Sequence, residues 1–144
     1  MKKLVSSPIL VIITFLWIGF VLAISFMEAW LKFQAPGITL PLGLGIGRLV
    51  FGALNKVEIV LCLIILISIL VQKVILNKSE KLVIVIPLLL LVVQSFWLLP
   101  TLDARAELII QGNTPEPSYL HISYVITEFI KVSCLSIFGI KLFK

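Results

Sequence analysis

The chain has 144 residues, of which 60% are hydrophobic and only 13% charged, with a formal net charge of +5 and a mean hydropathy of +1.21. That much apolar surface excludes a soluble domain of this size, because one core could not hide it. The positive balance is scattered along the chain and reads as membrane topology, not as a nucleic-acid module.

Four apolar runs are long enough to cross roughly 30 Å of hydrocarbon: 8–27, 49–71, 82–99 and 119–142. The fold class is therefore all-α, a single integral membrane four-helix bundle over 1–144. The first run follows Lys2 and Lys3 and ends near an Ala23-Ile24-Ser25 stretch that imitates a cleavage site. It exceeds the roughly 7–15 apolar residues of a secretory signal, so a retained helix is expected. Cys62 and Cys134 lie in separate helices without metal-like spacing and read as small packing residues.

Between the first two runs, FQAPGITLPLGLGIG carries Pro36, Gly37, Pro41, Gly43, Gly45 and Gly47 among apolar residues. It is expected to be neither solvated loop nor good helix, but a segment folded back over the bundle mouth. A phosphate loop is a poor alternative, since no GK[ST] ending follows. Between the third and fourth runs, Pro100 punctuates the span. LDARAELIIQG then reads as a short exofacial helix capped by Gly112, with Asp103 and Glu107 on a solvated face.

Lysines set the orientation. Lys2, Lys3, Lys73, Lys78, Lys81, Lys141 and Lys144 fall on one side of an up-down arrangement. Lys32, Arg48 and Arg105 fall on the other, diluted by Asp103, Glu107 and Glu116. Both termini are therefore expected in the cytoplasm, with the chain in the cell (inner) membrane.

The last run contains HISYVITEFIK, which places Glu128 and Lys131 near the bilayer centre. Together they cost on the order of 5–7 kcal/mol to insert, so partners inside the bundle are needed. The second run offers them: Asn55 and Glu58 follow Arg48 at offsets seven and ten, as Glu128 and Lys131 follow His121, with Tyr124 between. At about 100° per residue each set occupies one stripe of its helix. With Arg48 level with His121, Asn55 is expected to pair with Glu128 and Glu58 with Lys131. Lys56 projects away from Glu58 and is assigned to another contact or to a partner subunit.

Arg48, Asn55, Glu58, His121, Tyr124, Glu128 and Lys131 are the candidate ligand-binding residues, with Glu28, Gln94, Asp103 and Arg105 as secondary ones. They suit a one-sided pocket in the outer half for a small polar or amphipathic ligand, gated by the glycine-rich segment, with proton coupling at Glu58 or Glu128. The competing reading is that the charges only glue helices together, as in an accessory subunit. One histidine with scattered acids makes no metal site, no catalytic triad is present and no cofactor is indicated. The expected partners are the lipid bilayer, a small ligand, and a second copy or another membrane subunit.

The order of SFMEAWLKFQAPG, GRLVFGALN, LLPTLDARAELI and SYLHISY resembles the four-helix membrane proteins of the domain-of-unknown-function-4149 and transmembrane-protein-205-like group, a likeness that implies no chemistry. RLVFGALNKVE is similar, over about eleven residues, to the glutathione-binding helix of the membrane-associated eicosanoid and glutathione metabolism proteins, which are trimers. That likeness implies Arg48, Asn55 and Glu58 as glutathione contacts and a thiol-transferase activity.

The topology is checked by cysteine-accessibility labelling in intact cells. A cysteine at Ser79 or appended after Lys144 is expected to resist an impermeant reagent, and labelling from outside would reverse the assignment.

Overall fold

The computed structural model describes residues 7–143; Lys2, Lys3 and Lys144 of the charge argument lie outside them. Four helices account for most of the chain: α1 (Pro8–Gln34), α2 (Leu40–Val71), α3 (Lys78–Ile110) and α4 (Leu120–Lys141), each long and apolar enough to cross a membrane. Among the described residues there is no strand.

The helix starts are written locally. Ser7 caps α1 by accepting the Leu10 N–H, and Pro8 sits where a missing N–H costs nothing. Thr39 caps α2 in the same way. Asn77 and Glu80 form a reciprocal capping box on α3. At the far end of α3, Gly112 adopts a φ of 87°, and the Asn113 N–H returns to the Leu108 carbonyl at 2.9 Å. The expected glycine cap is therefore in place.

Two expectations about boundaries are corrected. The glycine-rich stretch is not a loop over the mouth: from Leu40 onward it forms the first turns of α2. Its glycines allow α1 to approach closely. A Cβ at Gly43 would run into the Phe33 ring, and one at Gly47 would lie 3.1 Å from Lys32 Nζ. Nor does α3 stop at Pro100. The segment Leu99–Ile110 is helical, but it continues α3 instead of forming a separate helix. A π-helical turn over Gln94–Leu98 precedes Pro100, and such widening accommodates a ring that would otherwise collide with the carbonyl four residues back.

The helices pack in cyclic order, so α2 and α4 lie diagonally. The first half of α3 rests mainly on α4 and its last part mainly on α2. Close approach at the end bearing the termini is helped by Gly139, where a Cβ would meet Phe15 at 3.0 Å. An apolar core that includes Leu10, Ile65, Leu135 and Phe138 fills that half. Large apolar side chains cover the outside, with Leu70 75% and Phe96 82% exposed. Such a surface is costly in water and at home in hydrocarbon.

The α2 terminus contains a left-handed non-glycine residue, Lys73, with φ 50°, where the Val74 N–H closes on the Ile69 carbonyl at 3.1 Å. This conformation costs an L-residue about 1 kcal/mol. Lys73→Gly is therefore expected to raise unfolding stability by about 0.5–1 kcal/mol, measured by denaturation in detergent.

Candidate functional site

Lys131 lies midway along α4 with no solvent exposure, and its ammonium group has three N–H donors to place. It gives one to Glu58 Oε1 on α2 at 2.6 Å and one to Glu128 Oε1 at 2.8 Å. The third goes to Gln94 Oε1 on α3. Helix α1 joins through Trp17, whose indole N–H donates to Glu58 Oε1 at 2.7 Å, and through Ser25, whose hydroxyl donates to Glu128 Oε2 at 3.2 Å. Gln94 Nε2 donates to Glu128 Oε1 at 2.6 Å and to Thr127 Oγ1 at 2.8 Å. All four helices thus meet at one buried ion cluster. The expected Glu58–Lys131 pair spans the diagonal between α2 and α4 directly.

The other expected layer is not formed. Asn55 donates to Ser95 Oγ at 2.8 Å, and Glu128 is held by Ser25, Gln94 and Lys131. The diagonal placement of α2 and α4 explains this: Asn55 reaches only the neighbouring α3, whereas the longer Glu58 and Lys131 side chains can span the gap. Trp17, Ser25 and Ser95 were missed from sequence. A tryptophan deep in an aliphatic span was the available signal, because a buried indole N–H needs an acceptor.

Ser25 and Gln94 share a backbone device. Ser25 lies within a π-helical stretch of α1, Leu22–Glu28, and Gln94 opens the π-helical turn of α3. Each wide turn inserts extra backbone into the helix, changing which faces point inward beyond it. Past these turns, the last part of α1 and the last part of α3 become walls of a cavity.

That cavity, of about 430 Å³, lies toward the end of the bundle with the α1–α2 and α3–α4 connections. Phe33, Leu44, Phe51, Leu99 and Leu102 give it an apolar body, and Lys32, Arg48, Lys56, Asp103 and His121 supply its polar part. Tyr124 also lines it, its ring edge-on to Phe51 with centroids 5.5 Å apart. Tyr124 is 3% exposed, yet its hydroxyl has no hydrogen-bond partner among the described residues.

The candidates therefore divide. Arg48, Asn55, His121, Tyr124 and Asp103 line the cavity, whereas Glu58, Glu128, Lys131 and Gln94 belong to the ion cluster and are not part of its wall. Glu28 pairs with Lys32 at 3.2 Å. Arg105 donates to the backbone carbonyl of Glu116 and fastens the α3–α4 connection. Asp103 and Glu107 are not merely solvated. Asp103 binds Arg48 through two bonds, of 2.6 and 2.9 Å, and Glu107 takes the remaining side of the guanidinium. Lys56, assigned elsewhere from sequence, lines the cavity. It shares a helix face with Gly52 and Arg48, each one turn from the next.

No family model, curated protein or solved structure matches this chain, so the chemistry rests on its own residues. Among the described residues no cluster of His, Cys, Asp or Glu is arranged to hold a metal ion.

The ion cluster contains two carboxylates and one ammonium group, and its tolerance to change is therefore asymmetric. Lys131→Met strands both acids and is expected to cost about 3–5 kcal/mol. Glu58→Gln keeps an oxygen for Trp17 and Lys131 and leaves a neutral Lys131–Glu128 pair, but it puts an amide where the buried Glu58 Oε2 has no partner among the described residues, so a smaller loss of about 1–2 kcal/mol is expected. Thermal unfolding of both variants in one detergent provides the comparison.

Proposed function

We propose that this chain is an integral membrane protein of the cell (inner) membrane, with both termini cytoplasmic, that binds a small amphipathic ligand in the cavity at its outer end. Four helices of spanning length and an apolar exterior support the membrane placement. The observation that carries ligand binding is the cavity itself, about 430 Å³ of space with an apolar body and the cations of Lys32, Arg48 and Lys56 on its wall. Cavities of roughly 300–1,000 Å³ with apolar walls and a few polar groups suit small molecules. The ligand's apolar part would lie among Phe33, Phe51 and Leu99, and its polar end would meet the polar side chains of the same wall.

The ion cluster serves this reading as scaffold. Lys131 spends all three donors on protein oxygens, and neither Glu58 nor Glu128 lines the cavity. That arrangement favours structural glue for these three residues and weakens proton coupling through them. The glutathione-transferase reading loses its shared contact set for the same reason: Arg48 is occupied by Asp103 and Glu107, while Glu58 lies in the cluster.

Native mass spectrometry of gently purified protein is expected to report a retained small molecule. Gly52 lines the cavity, and a Cβ there would meet nothing within 4 Å. Gly52→Leu is therefore expected to fill the space and expel the ligand. Thermal stability should be retained or raised by up to about 1 kcal/mol, since glycine is the weaker helix former. A variant that keeps its ligand would reject the cavity as the site.

A further inference from the structure

The cavity's unspent hydrogen-bonding capacity is one-sided. Its acids are used up: both oxygens of Asp103 bind Arg48, and Glu107, next to it on α3, divides its oxygens between Arg48 and Gln111. Two of its cations are balanced as well. Arg48 is held by those two carboxylates. Lys32 pairs with Glu28 and lies over the rings of Phe33 and Phe51, 5.5 and 5.6 Å from their centroids. Lys56 is different. It lines the cavity and has no acid partner among the described residues. It stands eight residues beyond Arg48 on α2, about 12 Å nearer the middle of the bundle at the rise of an α-helix.

Lys56 is exposed, so its ammonium group is left to meet water or an anion instead of a protein acid. His121 lines the cavity too, with no side-chain hydrogen bond among the described residues. Unspent donors beside spent carboxylates select a ligand whose head carries acceptor oxygens and negative charge.

We infer that the ligand is an anionic amphiphile, with its carboxylate or phosphate head at Lys56 and its apolar tail among Phe33, Phe51 and Leu99. This rests on the cavity being the binding site. Charge-assisted hydrogen bonds are about twice as strong as neutral ones, so the head should dominate selectivity while the tail supplies contact area. A free single-chain anion and the head of a bilayer phospholipid share this chemistry.

The test titrates purified full-length protein in neutral detergent with octanoate, octyl phosphate, octanol and octylammonium, with bound probe counted by native mass spectrometry. Octanoate and octyl phosphate are expected to saturate one site and bind at least about tenfold more tightly than octanol, the scale of one charge-assisted bond. Octylammonium should not bind. Lys56→Gln, at an exposed position, should erase the preference for anions, and Gly52→Leu should abolish all binding. If octanol matches octanoate and Gly52→Leu blocks both, the anion inference is overturned and the cavity reading stands. If Gly52→Leu leaves every probe bound, or no probe saturates the wild type, both fall. Displacement of octanoate by phosphatidylglycerol in mixed micelles supports an anionic lipid head, and persistence of octanoate supports a free anion.

Discussion

The ammonium group of Lys131 sits where α1, α2, α3 and α4 converge, and its three donors must all find oxygen atoms because no water reaches it. Glu58, Gln94 and Glu128 provide those oxygens, from three different helices, and Trp17 joins the fourth through Glu58. Apolar helix faces alone pack in many nearly equal ways in lipid, since lipid tails compete equally for them. A buried ammonium group is far less permissive. Any rotation or slide of one helix that breaks a contact leaves a charge unpaired in hydrocarbon, and the cluster thereby fixes helix register.

The helices deform locally to meet that requirement. Both π-helical turns occur at residues that serve the cluster, Ser25 in α1 and Gln94 in α3. The turns carry a second consequence, because the segments beyond them are reoriented and become cavity walls. Ala29, Lys32 and Phe33 follow the first turn, while Leu99, Asp103 and Ala106 follow the second. In α3, the segment beyond the turn leans away from α4 onto α2, where Arg48 meets Asp103 and Glu107. An ionic layer at mid-bundle whose cation is fully paired, and a cavity above it, are therefore two results of the same backbone distortions.

Charge neutralisation follows a gradient through the molecule. The cluster is closed, with its cation spent entirely on protein. The rim is tied by Arg48 between two acids, a pairing of part-exposed groups that contributes modestly on its own but fixes where α2 and α3 meet. Between these levels lies Lys56, which has no acid partner among the described residues.

The sequence by itself determined the helical class, the approximate four spans and the residues too polar to face lipid. Those follow from hydropathy over long windows and from the cost of charge in hydrocarbon, both local properties. It also determined the Glu58–Lys131 pair, since equal offsets on two parallel helices place those residues at one depth. Tertiary structure decided the rest. Asn55 and Glu128 share a depth too, but the diagonal placement of α2 and α4 lets only the longer pair meet. The glycines at positions 43 and 47 read as helix breakers until Phe33 and Lys32 are seen filling the space their missing side chains leave. Pro100 reads as a stop until the widened turn before it relieves the clash. The separation of one polar stripe into a closed cluster and an open cavity depended on helix distortions and on who faces whom around the bundle, and neither is a property of a single helix.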